Sequence, residues 1–212
     1  MNILSHHEIA KRLDTKRGLA YRFGAMAPDF VGMFGVKRTY ELIDDPDLLA
    51  GIKLHQLTDV TFDNLEEIKE LRRNMSREFK DMMPKWSAAQ CAAVGKDILF
   101  DNLAIGDTEA TAAYNLTMHE AASGSIDISK VANPQLEFTE RIKAFEQRGL
   151  PNYADPQTVA NILQWRLRNT RSNFDDNLVP ELAKRLSPFQ DQVKDIGSLV
   201  IEKTIDSLKA KT

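Results

Sequence analysis

Ala50-Gly51-Ile52-Lys53-Leu54-His55-Gln56-Leu57-Thr58-Asp59-Val60-Thr61-Phe62-Asp63-Asn64 sets a histidine and two aspartates four residues apart, His55, Asp59 and Asp63. In an α-helix, residues four apart lie on one face and one turn along the axis. Read as a helix, the stretch presents an imidazole and carboxylates to a common point, which is a ligand pattern for a cation. The same spacing returns at Asp97 and Asp101, with Ile98, Leu99 and Phe100 between them. Carboxylates on so apolar a helix are costly unless they are paired, hydrogen-bonded or bound to a cation.

Outward from this block, helix signals recur and strand signals do not. Asp45-Pro46, Asn133-Pro134 and Asp155-Pro156 each set an N-cap residue before proline, a helix-opening device. Ser87-Ala88-Ala89-Gln90 and Ser187-Pro188-Phe189-Gln190 fit the capping box. Val159, Ile162, Leu163, Arg166 and Leu167 recur with helical period, as do Val193, Ile196, Val200 and Ile201. The pattern predicts helices near 3–14, 18–26, 46–61, 64–80, 88–104, 108–122, 134–148, 156–170, 175–186 and 188–208. It therefore predicts an all-α helical bundle. With no glycine- or proline-rich linker and no internal repeat, residues 1–212 are expected to form one domain.

A net charge of −3 argues against a general nucleic-acid binder, but the charge is unevenly spread. Residues 1–40 are basic through Lys11, Arg12, Lys16, Arg17, Arg22, Lys37 and Arg38, and residues 41–70 are acidic. Arg141, Lys143, Arg148, Arg166, Arg168 and Arg171 form a third, basic group that reads either as a solvated helix face or as a contact for phosphate. Cys91 is the single cysteine, which excludes an intrachain disulfide framework and a cysteine-based zinc cluster. The first dozen residues are too polar for a signal core, and no stretch is apolar enough to span a bilayer. The expected location is the cytoplasm.

These motifs, taken in order, resemble the acyl carrier protein phosphodiesterases, a divergent helical HD-like phosphohydrolase family. Met1-Asn2-Ile3-Leu4-Ser5-His6 resembles the family's opening, Asp29-Phe30 its aspartate-phenylalanine pair, and His55, Asp59, Asp63, Asp97 and Asp101 its central block. The resemblance implies a divalent metal, most suitably Mn2+ with Mg2+ or iron as alternatives, on His6, His55, Asp59, Asp97 and Asp101, with Asp29 catalytic. It implies hydrolysis of the phosphodiester that joins 4′-phosphopantetheine to the serine of holo-acyl carrier protein. Asp63, Asn102, Arg166 and Arg171 are the expected substrate contacts, and the basic residues of the first forty would steer an acidic partner.

Several positions carry a second reading. Asp63-Asn64-Leu65-Glu66 is also a capping box, Asp97 and Asp101 could instead pair with arginines of a neighbouring helix, and His119 suits a helix C-terminus. The chain also departs from the family's pattern. Asn102 stands where the family has a histidine, a tryptophan is missing from Ile105-Gly106-Asp107-Thr108, and His6 and Asp29 are more widely separated than usual. Asparagine can present an amide oxygen to a cation but cannot act as a base. Two alternatives therefore stand beside the enzyme: an inactive relative that binds an acidic partner, and a phosphohydrolase of the same fold acting on a small ester.

Overall fold

The computed structural model describes residues 2–168 and 175–211. Arg171 and the chain from 169 to 174 lie outside the described residues. The expected all-α architecture is present. Its helices are α1 (Ile3–Leu13), α2 (Leu19–Phe34), α3 (Pro46–Asn64), α4 (Glu66–Phe79), α5 (Lys85–Ile105), α6 (Thr108–Ser123), α7 (Gln135–Arg148), α8 (Pro156–Arg168) and α9 (Val179–Lys209). Two-residue strands β1 (Lys37–Arg38) and β2 (Ala132–Asn133) pair antiparallel, Lys37 opposite Asn133 and Arg38 opposite Ala132.

The caps explain several helix starts. Asp45 Oδ1 accepts from the backbone of Asp47 and Leu48 at 2.8 and 3.0 Å ahead of α3. The Asp155 carboxylate does the same for Gln157 and Thr158 ahead of α8. Other expectations fail for a common reason. α2 continues through Pro28, and α9 is one helix through Pro188 rather than two. An interior proline costs about 3 kcal/mol, and in α2 the burial of Phe23, Met26, Phe30 and Val31 offsets it. α2 ends instead at Gly35, whose φ of 66° is the left-handed conformation of a glycine C-cap.

The chain falls into two compact units, one made of Asn2–Val60, Ala104–Leu150 and Ile205–Thr212, the other chiefly of Thr61–Leu103 and Pro151–Thr204. In the first unit α1, α2, α6 and α7 close around Phe30, which stacks on Phe34 and meets Phe145 edge-on, with Phe23, Leu48, Met118 and Phe138 buried nearby. In the second, Phe62 meets Phe100 edge-on and Phe79 meets Phe189.

One crossing in the first unit sets the register of the site. Gly24 of α2 and Gly51 of α3 let the two backbones touch; a β-carbon on Gly51 would collide with the Tyr21 carbonyl oxygen, and one on Gly24 with the Leu48 carbonyl oxygen. Because both obstacles are backbone, neither can rotate away. Gly51→Ala is expected to destabilise the protein by about 2–3 kcal/mol through overpacking, although alanine is favoured over glycine in a helix by about 1 kcal/mol. Urea denaturation checks the sign.

Candidate metal centre

α1 contributes His6, α2 contributes Asp29 in the turn after Pro28, and α3 contributes His55 one turn beyond the Gly51 contact. One ligand atom from each of His6, Asp29 and His55 lies within 4.8 Å of the others. The two imidazoles stack with centroids 3.9 Å apart. Asp59 joins them through both its oxygens, Oδ1 at 3.0 Å from His6 Nε2 and Oδ2 at 3.2 Å from His55 Nε2. Asp29 Oδ2 is 3.9 Å from His6 Nε2.

The backbone fixes the His55 tautomer. Its Nδ1 lies 2.8 Å from the Ala25 carbonyl oxygen, which only accepts, so Nδ1 carries a proton and Nε2 faces the carboxylates. Nε2 at 3.2 Å from a carboxylate oxygen then requires a positive charge between them, either a second proton or a cation. The same charges set the direction of each pKa in the centre. Burial lowers the His55 pKa, but the Asp59 hydrogen bond and the charges of Asp29 and Asp59 outweigh it, and the net shift is upward. Burial also acts to raise the Asp59 pKa, yet hydrogen bonds from both histidines hold it well below the usual carboxylate range. His6 is pulled down to about 3 by burial and by the proximity of His55, so it is neutral at ordinary pH.

The donor set fits a divalent ion. Imidazole nitrogen and carboxylate oxygen suit manganese, iron or magnesium better than a thiolate-seeking metal, and a ligating histidine usually gives its other N–H to a carbonyl, as His55 does to Ala25. His7 belongs to a separate arrangement. Thr117 Oγ1 donates to the Ala113 carbonyl at 2.9 Å, so His7 Nε2 donates to that hydroxyl at 3.0 Å. Its Nδ1 is buried without a hydrogen-bond partner.

The sequence-derived carboxylates of α5 lie in the other unit, together with Asp63. Lys96, 2 % exposed, reaches Asp63 at 2.8 Å and Asp97 at 2.5 Å, and its ammonium lies 5.0 Å from the centre of the Phe62 ring. Asp63 therefore forms an ion pair inside a helix that runs on to Asn64, rather than capping the next one. Burial lowers the Lys96 pKa, but the Asp97 charge and the hydrogen bonds to both aspartates raise it overall. Lys96 stands immediately before Asp97 in the sequence, and this adjacency is the one local sign of the pairing. Lys96→Met is expected to cost about 2–3 kcal/mol in urea denaturation, less than the loss from a fully buried pair because Asp63 is half exposed. Asp101 is fully buried and Asn102 partly buried in α5, while Arg166 lies in the last turn of α8.

The basic first forty residues are partly neutralised. Lys11 pairs with Glu109 at 2.7 Å and Arg17 with Asp47 at 2.6 Å, whereas Lys16, Lys37 and Arg38 are exposed. His119 pairs with Glu146 at 3.5 Å. Among the described residues no helix is long and apolar enough to cross a membrane.

No curated protein and no solved structure matches the chain. The model of the family described as acyl carrier protein phosphodiesterase matches residues 1–197. With nearly its whole length inside that match and two imidazoles and a carboxylate converging on one point, the chain belongs to the acyl carrier protein phosphodiesterase family and is a metal-dependent phosphodiesterase.

Proposed function

We propose that the protein cleaves the phosphodiester between the serine of holo-acyl carrier protein and 4′-phosphopantetheine, using Mn2+ held by His6, Asp29 and His55. The observation that carries this reading is the approach of these three donors to within 4.8 Å in a chain of this family. When bound, the ion would polarise a phosphoryl oxygen and lower the pKa of a coordinated water. In the reaction the water oxygen forms the new bond to phosphorus, the bond from phosphorus to the serine oxygen breaks, and the serine oxygen takes up a proton. Apo-protein and free 4′-phosphopantetheine result.

Asp29 serves in this scheme as a ligand, where the family resemblance implies a catalytic residue. In the metal-free centre Asp59 accepts from Nε2 of both imidazoles; an ion on His55 Nε2 would replace that proton and bring the Asp59 carboxylate against the ion as a further ligand, and its depressed pKa makes it a poor base. Exposed Lys16 and Lys37 favour an acidic carrier protein by complementary charge, and the proposed location is the cytoplasm. Asn102, Asp63, Arg166 and Arg171 stay in the proposal as substrate contacts, and Asp97 and Asp101 as further ligands.

Mass spectrometry of holo-acyl carrier protein incubated with the Mn2+-loaded enzyme tests the reading. Conversion to the apo mass, with release of 4′-phosphopantetheine, supports it. Turnover of generic aryl phosphodiesters with an untouched carrier protein would favour the small-ester phosphohydrolase. Binding of the carrier without turnover would favour the inactive relative, for which Asn102 in place of the family's histidine is the motivating residue.

A further inference from the structure

α1 opens on an asparagine that does not do what a capping asparagine does. Asn2 has the extended backbone of an N-cap, with φ −122° and ψ −175°, but its side chain makes no capping hydrogen bond. Accepting from the second or third residue of the helix is the reason asparagine is favoured at this position. The residue is only 3 % exposed, and among the described residues its Oδ1 has no hydrogen-bond partner. A buried acceptor left without a donor costs stability, so this amide oxygen weakens the metal-free fold.

The next turn of the helix holds a matching atom. His6 N donates to the Asn2 backbone carbonyl at 3.1 Å, which sets the two residues one turn apart, and helical side chains lean toward the N-terminus, over the residue four before them. His6 is 1 % exposed, and among the described residues its Nδ1, like Asn2 Oδ1, is buried without a hydrogen-bond partner. The metal-free hydrogen bonding explains why the two atoms are not paired. His6 Nε2 lies 3.0 Å from Asp59 Oδ1. The carboxylate only accepts, so Nε2 carries the single proton of the neutral ring and Nδ1 is a bare lone pair. An amide oxygen and a lone pair are two acceptors and cannot bond.

We infer that Asn2 Oδ1 is the acceptor for the His6 Nδ1 proton when His6 ligates a divalent cation, which makes Asn2 a positioning residue of the metal centre. This rests on the reading of His6 as a ligand. A nitrogen that ligates carries no proton, so ligation through Nε2 puts the ring's proton on Nδ1, and a ligating histidine is held by an acceptor at its other nitrogen. For His55 the Ala25 carbonyl fills that role at 2.8 Å. For His6 the backbone carbonyl of Asn2 is taken by His6 N, and the amide oxygen of the same residue is the open acceptor in that turn. The rearrangement is a rotation of the Asn2 side chain about its own bonds, with the backbone of α1 unchanged, and one hydrogen bond then satisfies both orphaned atoms.

The test titrates Mn2+ calorimetrically into wild type, Asn2→Leu and Asn2→Asp, with urea denaturation of the same metal-free proteins and a crystal structure of the Mn2+-loaded wild type. Asn2→Leu keeps the size of the side chain and removes the acceptor. It is expected to weaken Mn2+ binding about 10–100-fold, the usual loss for an outer acceptor, while the metal-free urea midpoint stays at or above that of wild type because a buried unsatisfied oxygen has gone. Asn2→Asp keeps an acceptor and is expected to retain most of the wild-type affinity. In the loaded structure Asn2 Oδ1 and His6 Nδ1 should lie within about 3.2 Å of each other. A midpoint that falls in Asn2→Leu with Mn2+ affinity unchanged would show a purely structural asparagine and overturn the inference, as would a loaded structure in which His6 Nδ1 donates elsewhere. Both outcomes leave the reading of the centre standing. A wild type that binds no Mn2+ would overturn that reading and the inference with it.

Discussion

Asp29→Asn is expected to lower kcat/KM for phosphodiester hydrolysis by about 10³-fold while leaving the helical content and the urea midpoint near those of wild type. The substitution keeps the side-chain shape and removes only the charge, and Asp29 stands at the edge of the centre, partly open to solvent. A Lewis acid contributes several kcal/mol to stabilising phosphoryl transfer, and each ~1.4 kcal/mol lost from that stabilisation is a factor of ten in rate. A purely structural aspartate would behave otherwise, costing stability and sparing the rate of the molecules still folded. Steady-state kinetics and urea denaturation of the same preparation separate the two.

The second large effect is on acid stability. His7 is fully buried, and its pKa is pulled down to about 3 by burial and by the neighbouring Arg22 and Lys11 charges. The unfolded chain binds a proton at this residue from about pH 6.5 downward, whereas the folded protein does not until near 3. Protons therefore favour the unfolded state across that window, and stability falls as pH falls through it, with a slope of up to about 1.4 kcal/mol per pH unit from this residue alone. His6, lowered similarly, adds to the slope in the same direction. His55 does not oppose it there, because a histidine whose folded pKa is raised is protonated in both states below pH 6.5.

Against a typical total of about 5–15 kcal/mol, these two histidines remove a large share of the stability of the metal-free protein by pH 4. Urea midpoints measured between pH 7 and 4 should show this decline. His7→Gln, which keeps a donor for Thr117, should flatten it by about one proton's worth. An unchanged slope in that variant would remove His7 from the account.

The helix carrying His55 and Asp59 was legible because four-residue spacing has one meaning on a helix and a histidine with a carboxylate one turn away is chemically specific. His6 and Asp29 had no such local signature and came only from the order of motifs along the chain. Their convergence depends on the Gly24 and Gly51 contact, where the informative feature is a missing β-carbon on each of two helices, and a single sequence does not pair glycines 27 residues apart. The ion pairs of Asp63 and Asp97 with Lys96 are not legible in the spacing of the aspartates, because the lysine that pairs with both stands outside that pattern. Pro28 and Pro188 were read as helix boundaries because local sequence shows proline's cost and hides the burial that compensates it.

The most direct measurement is the manganese content of protein purified without chelator and supplied with Mn2+, determined by elemental analysis for wild type, His6→Ala and His55→Ala. The account predicts close to one ion per chain in wild type and loss of that ion in both variants, because an imidazole from α1 and one from α3 hold the same metal. No stoichiometric metal in wild type, or full retention in both variants, would contradict it.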